Sequence, residues 1–161
     1  MTSPPYRPIV IATRNDGKEA VAEAVLRDLP EWFGIEEATL GYIAAAGRLA
    51  MLEARAEGAT VGFVSLERTT AAAMEVHVIG VLQGWHRRGV GRALVGAAAE
   101  AARAAGASLL TVKTLSSAHP DPGYAATRRF YEAEGFLPVA ELPEHWGPDN
   151  PCLLMARVLK A

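Results

Sequence analysis

The residues best suited to chemistry lie in Gln83-Gly84-Trp85-His86-Arg87-Arg88-Gly89-Val90-Gly91-Arg92-Ala93-Leu94, between a strand-like run, Met74–Leu82, and a helical pattern. A glycine turn from strand into helix leaves backbone N–H groups unpaired at the positive end of the helix dipole. Such a place suits an anion, phosphate above all. Gly89 and Gly91 allow the close backbone approach that a Cβ would block. Arg87, Arg88 and Arg92 add positive charge where a pyrophosphate or ribose phosphate would sit. A P-loop would need a Lys after the glycines, and none follows. A dinucleotide fingerprint would need glycine where Leu94 stands and an acidic residue ending the next strand, where Leu109–Leu115 offers only Lys113. On these residues alone, a plain tight turn that starts a helix stays open.

The strand before the loop carries two proton-transfer candidates. Period-two geometry places Glu75, His77, Ile79 and Val81 on one face. His77 needs less pKa adjustment than Glu75 to work near neutrality. Their structural alternatives are a solvated strand end and a hydrogen-bonded, half-buried imidazole.

Composition removes other classes of function. A single cysteine, Cys152, excludes a disulfide framework and a Cys-based zinc cage, and it reads as a small buried hydrophobe. The four histidines show no pair at helical ligand spacing, so no metal is expected. A formal charge of −2 supplies no field that would draw nucleic acid. No window holds the ~18 apolar residues of a membrane span. The opening MTSPPYRP has no apolar stretch of signal-peptide length, and a cytoplasmic protein is expected.

These residues must be positioned by one domain, 1–161, half of whose residues are hydrophobic. Ile9–Ala12 reads as a strand. Asp16 and Glu19 have capping-box spacing before a helix closed by Pro30. A second helix runs from Glu36 or Glu37 to Ala46, with Gly47 as its stop. Leu49–Ala56, Val61–Arg68 and Met74–Leu82 form an antiparallel meander with short connections. The pattern from Val90 to Ala105 is helical, Leu109–Leu115 is a buried strand, and Ala125–Glu134 is a helix ended by Gly135. Phe136–Leu142 and Cys152–Leu159 are the last strands. The strand, long helix and strand around the glycine loop make a right-handed crossover joining parallel strands. The expectation is an α/β (α+β) fold with a mixed, mostly antiparallel seven-stranded sheet, a central parallel β-α-β crossover and about four helices.

With the two halves of its pattern in place, the chain resembles the GNAT superfamily of N-acetyltransferases. Their Gln/Arg-x-x-Gly-x-Gly/Ala signature aligns with His86-Arg87-Arg88-Gly89-Val90-Gly91, with His86 in place of Gln or Arg. Their second helix aligns with Tyr124-Ala125-Ala126-Thr127-Arg128-Arg129-Phe130-Tyr131-Glu132-Ala133-Glu134-Gly135-Phe136. The Phe-Tyr and Gly-Phe halves match there, whereas Tyr124 replaces Asn and Thr127 replaces Ala. The resemblance implies acetyl-CoA as acyl donor, its pyrophosphate on the amides of residues 87–92, including Val90. It implies a pantetheine arm pairing near Val81, an oxyanion donor around the Ile79 N–H, and Tyr131 as general acid beside the sulfur. It implies Glu75 as base, with His77 or no dedicated base as alternatives. A small-molecule amine is the expected acceptor, with Trp32, Phe33, His77, His119 and Trp146 around it, and Asp121 and Asp149 as further candidates. Dimers are common among such look-alikes, so a homodimer stays open, while the residues themselves do not give the oligomeric state. A non-catalytic CoA-binding sensor and a protein N-acetyltransferase are the rival readings.

Overall fold

A computed structural model describes residues 8–160, so all but Pro8 of the opening MTSPPYRP lies outside the described residues. The elements are β1 (Val10–Arg14), α1 (Lys18–Arg27), α2 (Glu36–Arg48), β2 (Ala50–Ala56), β3 (Ala59–Arg68), β4 (Ala73–Val81), α3 (Val90–Ala104), β5 (Leu109–Leu115), α4 (Pro122–Ala133), β6 (Leu137–Leu142) and β7 (Cys152–Val158). The sheet order is β1-β2-β3-β4-β5-β7-β6, with β4/β5 the parallel pair. The expected order and architecture are therefore what is found.

Several local signals resolve differently. Gly17, in the left-handed region, caps α1 without a side-chain hydrogen bond, so the Asp16–Glu19 capping box does not form. The Val21 N–H bonds the Gly17 carbonyl, which starts the helix one residue too late for Asp16 to reach its amides. Gly47 does not end α2, which continues to Arg48. Its missing Cβ lets Glu19 of α1 lie against α2, since a Cβ there would sit 2.0 Å from Glu19 Oε1. Glu57 and Gly58 both have positive φ, the two-residue hairpin turn that matches strand twist, and β3 accordingly begins at Ala59.

The sheet carries a core on each face. One, against α3 and α4, contains Val64, Leu66, Val76, Leu94, Leu110 and Phe136. The other, against α1 and α2, contains Val25, Leu26, Ile43, Met51, Phe63 and Val78. At one side of the sheet Glu53 is buried between Arg14 Nη1 at 2.8 Å and Arg55 Nη1 at 2.7 Å. Burial opposes its ionisation, but the two guanidiniums prevail and lower its pKa. A lowered carboxylate pKa stabilises the fold above the ordinary value of about 4.5, and that contribution disappears as pH falls through the folded pKa. Urea unfolding from pH 7 down to pH 3 should therefore show a steeper loss of stability below about pH 4.5 in the parent than in Glu53→Gln.

One irregularity shapes the site. Pairing between β3 and β4 jumps from Leu66↔Val76 to Ser65↔Val78, leaving His77 as the extra residue of a β-bulge. A bulge shifts the side-chain alternation and bends the strand. Met74 and Val76 before it, and Ile79 and Val81 after it, all pack on the α3 side, whereas Val78 packs on the α1/α2 side. The expectation that Glu75, His77, Ile79 and Val81 share one face is thus wrong, because period two does not survive the inserted residue. Glu75 and His77 face α2; Ile79 and Val81 face α3. Pairing between β4 and β5 covers only Ala73↔Leu109 to Val76↔Val112, and a gap opens beyond it.

Candidate active site

The β4–α3 loop is built to present amides. After a 3-10 turn at Gln83–Trp85, Arg87 (φ 60°) and Gly89 (φ 83°) both adopt left-handed conformations. Among the described residues, the N–H groups of Arg87, Arg88 and Gly89 donate no backbone hydrogen bond. Those of Val90, Gly91 and Arg92 open α3 and have no carbonyl a turn behind them. Gly91 also lets α3 close on α4, since a Cβ would lie 3.2 Å from the Phe130 ring. The base of the loop is clamped to α1, where Asp28 Oδ2 accepts from the Gln83 N–H at 2.8 Å. The three arginines differ in their surroundings. Arg88 stacks over Trp85 at 5.0 Å, Arg92 lies 3.9 Å from Glu134, and Arg87 has no ion pair among the described residues.

His86 turns back to the strand. Its Nε2 lies 2.7 Å from the Val81 carbonyl, which can only accept, so Nε2 carries the proton. The Leu82 N–H bonds Val61 across the β3 side. By alternation the N–H groups of Ile79 and Val81 point the other way, into the gap beside β5.

Tyr131 lies on α4, which packs against β5. It is 5% exposed, its ring sits between Phe130 and Phe136, and its hydroxyl forms no hydrogen bond among the described residues. Burial pushes its pKa well above the ordinary phenol value. Thr114, on the α3/α4 face of β5, has a buried hydroxyl without a partner among the described residues. Tyr124, which stands at the Asn position of the family pattern, donates its hydroxyl to the Trp32 carbonyl at 2.8 Å. Tyr124 therefore ties the α1–α2 connection to α4.

On the opposite face a pocket of about 180 Å³ is lined by Tyr42, Glu75, His77, Lys113, His145 and Trp146. Lys113 Nζ lies 2.7 Å from Glu75 Oε2, and His77 Nδ1 lies 3.4 Å from Glu67 Oε2. Glu67 and Glu75 are directly opposed across the hairpin, a like-charge pair that the neighbouring Lys113 relieves. Burial, then the Glu75 charge, raises the pKa of Tyr42, whose ring meets His77 edge-on at 5.4 Å. Glu67, Glu75 and His77 each place a ligand atom within 4.8 Å of the others, a set able to hold a cation. Here the Lys113 ammonium already supplies positive charge to Glu75.

The structure brings Glu75, His77 and Trp146 of the expected residues together at this pocket. Phe33 stands behind it, edge-on to Tyr42 at 5.8 Å. Trp32 is elsewhere, 5.7 Å from the His86 ring. His119 accepts from the Asp121 N–H at 3.3 Å, and Asp121 itself caps α4, so both serve the start of that helix. Sequence reasoning missed Tyr42, Glu67, Lys113 and Thr114. Only Glu67 had a readable signal, because strands ending at Arg68 and resuming at Met74 put it opposite Glu75.

A mixed sheet parted beside a glycine loop, with a buried tyrosine on one face and a pocket holding the Glu75–Lys113 ion pair on the other, defines a class that comparison identifies. The model of the acetyltransferase (GNAT) domain matches residues 47–138. The chain belongs to the GNAT acetyltransferases, and so to the acyltransferases. A GNAT-family protein from Desulfovibrio desulfuricans superposes with a TM-score of 0.82 at 18% identity, over 95% of this chain and 100% of that one. The ribosomal-protein-S18-alanine N-acetyltransferase of Escherichia coli gives 0.75 at 16% identity, over 96% of each chain. An aminoglycoside 6'-N-acetyltransferase complexed with coenzyme A gives 0.73 at 17% identity, over 94% of this chain and 98% of that one. No curated protein matches the sequence significantly. Among the described residues, no helix is long and apolar enough to cross a membrane.

Proposed function

We propose that the protein transfers an acetyl group from acetyl-coenzyme A to a primary amine of a small molecule, directly between two bound substrates. The carrying observation is that β4 parts from β5 beyond Val76↔Val112, between the free amides that follow β4 at residues 87–92 and the Glu75–His77 pocket on the α2 face; this arrangement supports a donor lying in the gap, with Tyr131 beside it. Three features fit the donor. They are the row of unpaired amides, the N–H groups of Ile79 and Val81 turned into the gap, and the Tyr131 hydroxyl without a partner. The coenzyme A in the aminoglycoside acetyltransferase supports the same choice. When bound, the donor supplies an activated thioester.

The chain's residues do the rest. Amides of residues 87–92, with Arg87, hold a diphosphate. The Ile79 N–H is aimed where an oxyanion would develop. Tyr131, kept protonated by burial, donates to the leaving sulfur. Glu75 draws the ammonium of the acceptor to the gap and takes a proton. His77, its Nδ1 beside Glu67, passes that proton to solvent through Nε2.

Calorimetry with coenzyme A tests the first half, and thiol release with acetyl-coenzyme A and a panel of amines tests the second. Absence of coenzyme A binding overturns the reading; binding without turnover of any amine favours the sensor. Gly89→Val gives a sharper check on the loop. A β-branched residue at φ 83° is a backbone outlier, so the amides should turn away from their common focus. Coenzyme A affinity should fall at least about tenfold, a loss of about 1.4 kcal/mol. Unchanged affinity would move the diphosphate elsewhere.

A further inference from the structure

We infer that the acceptor is a compact free α-amino acid, its ammonium meeting Glu75 and its carboxylate meeting Lys113. This rests on the transfer reaction proposed above and narrows its acceptor.

Size comes first. The pocket of about 180 Å³ holds roughly six water volumes and lies below the ~300 Å³ at which drug-sized ligand sites begin. The part of an acceptor that enters it is small.

Charge narrows it further. Glu75 and Lys113 form a 2.7 Å ion pair at the pocket wall, with side chains 11% and 25% exposed. Neither is saturated. Glu75 Oε1 accepts no hydrogen bond among the described residues, and Lys113 Nζ has donated one of its three. An incoming simple amine would satisfy Glu75 but add a second cation beside Lys113. An α-amino acid brings both signs at the spacing of a single carbon and extends the ion pair into a closed set of four alternating charges. An amide or ester carbonyl offers Lys113 no negative charge, so a peptide N-terminus gains less there. Tyr42 and Trp146 remain as aromatic walls for a side chain.

The step balances as follows. The amine nitrogen bonds the acetyl carbon as the C–S bond breaks, and two protons leave nitrogen by way of Glu75 and His77. One proton reaches sulfur from Tyr131, which regains its own from solvent, so the net release is one proton.

Acetylation of the common amino acids is to be measured beside their amides, their decarboxylated amines and leucyl-glycine, by thiol release with acetyl-coenzyme A. At least one free amino acid should exceed its amide and its decarboxylated amine in kcat/KM by about tenfold or more, as a charge-assisted contact implies. Lys113→Gln should compress that ratio toward one. Thermal shift without donor should show the same amino acid stabilising the parent more than its amide does. Equal rates across the series, an unchanged ratio in Lys113→Gln, or turnover of leucyl-glycine at the rate of the best free amino acid overturns the inference. If coenzyme A fails to bind, the transfer reaction itself is lost. If it binds and amines react without regard to a carboxylate, only the amino-acid assignment falls.

Discussion

Tyr131→Phe should lower kcat by about 10²- to 10⁴-fold while leaving coenzyme A affinity and thermal stability near those of the parent. The substitution removes one oxygen from a side chain that is 5% exposed and packed between two phenylalanines. Because that hydroxyl has no protein partner among the described residues, its loss leaves no orphaned group behind, and the core keeps its shape. A merely structural tyrosine would leave kcat intact, because phenylalanine keeps the ring that packs between Phe130 and Phe136. The pH profile adds a second signature. Burial raises the phenol pKa, so ionisation of Tyr131 should not limit the rate as pH climbs toward 10. Full activity in Tyr131→Phe on an identified acceptor would remove Tyr131 from the mechanism.

Glu75→Gln should damage two properties at once. It leaves the Lys113 ammonium without its 2.7 Å partner at a largely buried position, which costs about 1–3 kcal/mol after allowance for Lys113's partial exposure. It also removes the carboxylate that the proposed mechanism uses on the acceptor, and kcat/KM should fall by about 10²-fold or more. The double variant Glu75→Gln/Lys113→Met separates the effects. Replacing both partners removes the stranded charge, so stability should return toward the parent while activity stays low. If activity returned with stability, Glu75 would be a structural partner of Lys113 and nothing more. Chemical denaturation and thiol-release kinetics on the three proteins decide it.

Much of the architecture was legible because it rests on local signals. The glycine turn before Val90, the alternating runs of the meander and the long Ala-rich helix each announce themselves within a dozen residues. The Asp16 cap failed because Gly17 can adopt the left-handed conformation and take the capping position itself. Gly47 misled for a related reason, since a glycine serves close packing as readily as termination. The site was harder. Its central feature, the extra residue at His77, leaves no mark in the order of apolar and polar residues, so period two alone gives the wrong side-chain phase beyond it. Lys113 reaches Glu75 only through the parallel pairing of strands more than thirty residues apart, and no turn fixes that register. Tyr42 arrives from a helix on the α1/α2 side, through packing that period alone cannot specify.

The short seam between β4 and β5 reaches beyond catalysis, into how the molecule exchanges hydrogen with its solvent. Four paired positions join the two halves of the sheet, and past them the inward edge of a central strand is bare. Deuterium should enter at Ile79 and Val81 on the timescale of a surface loop, while Gly80 between them, bonded toward β3, stays protected. The middle of this sheet would then label in alternate residues, as a sheet margin does.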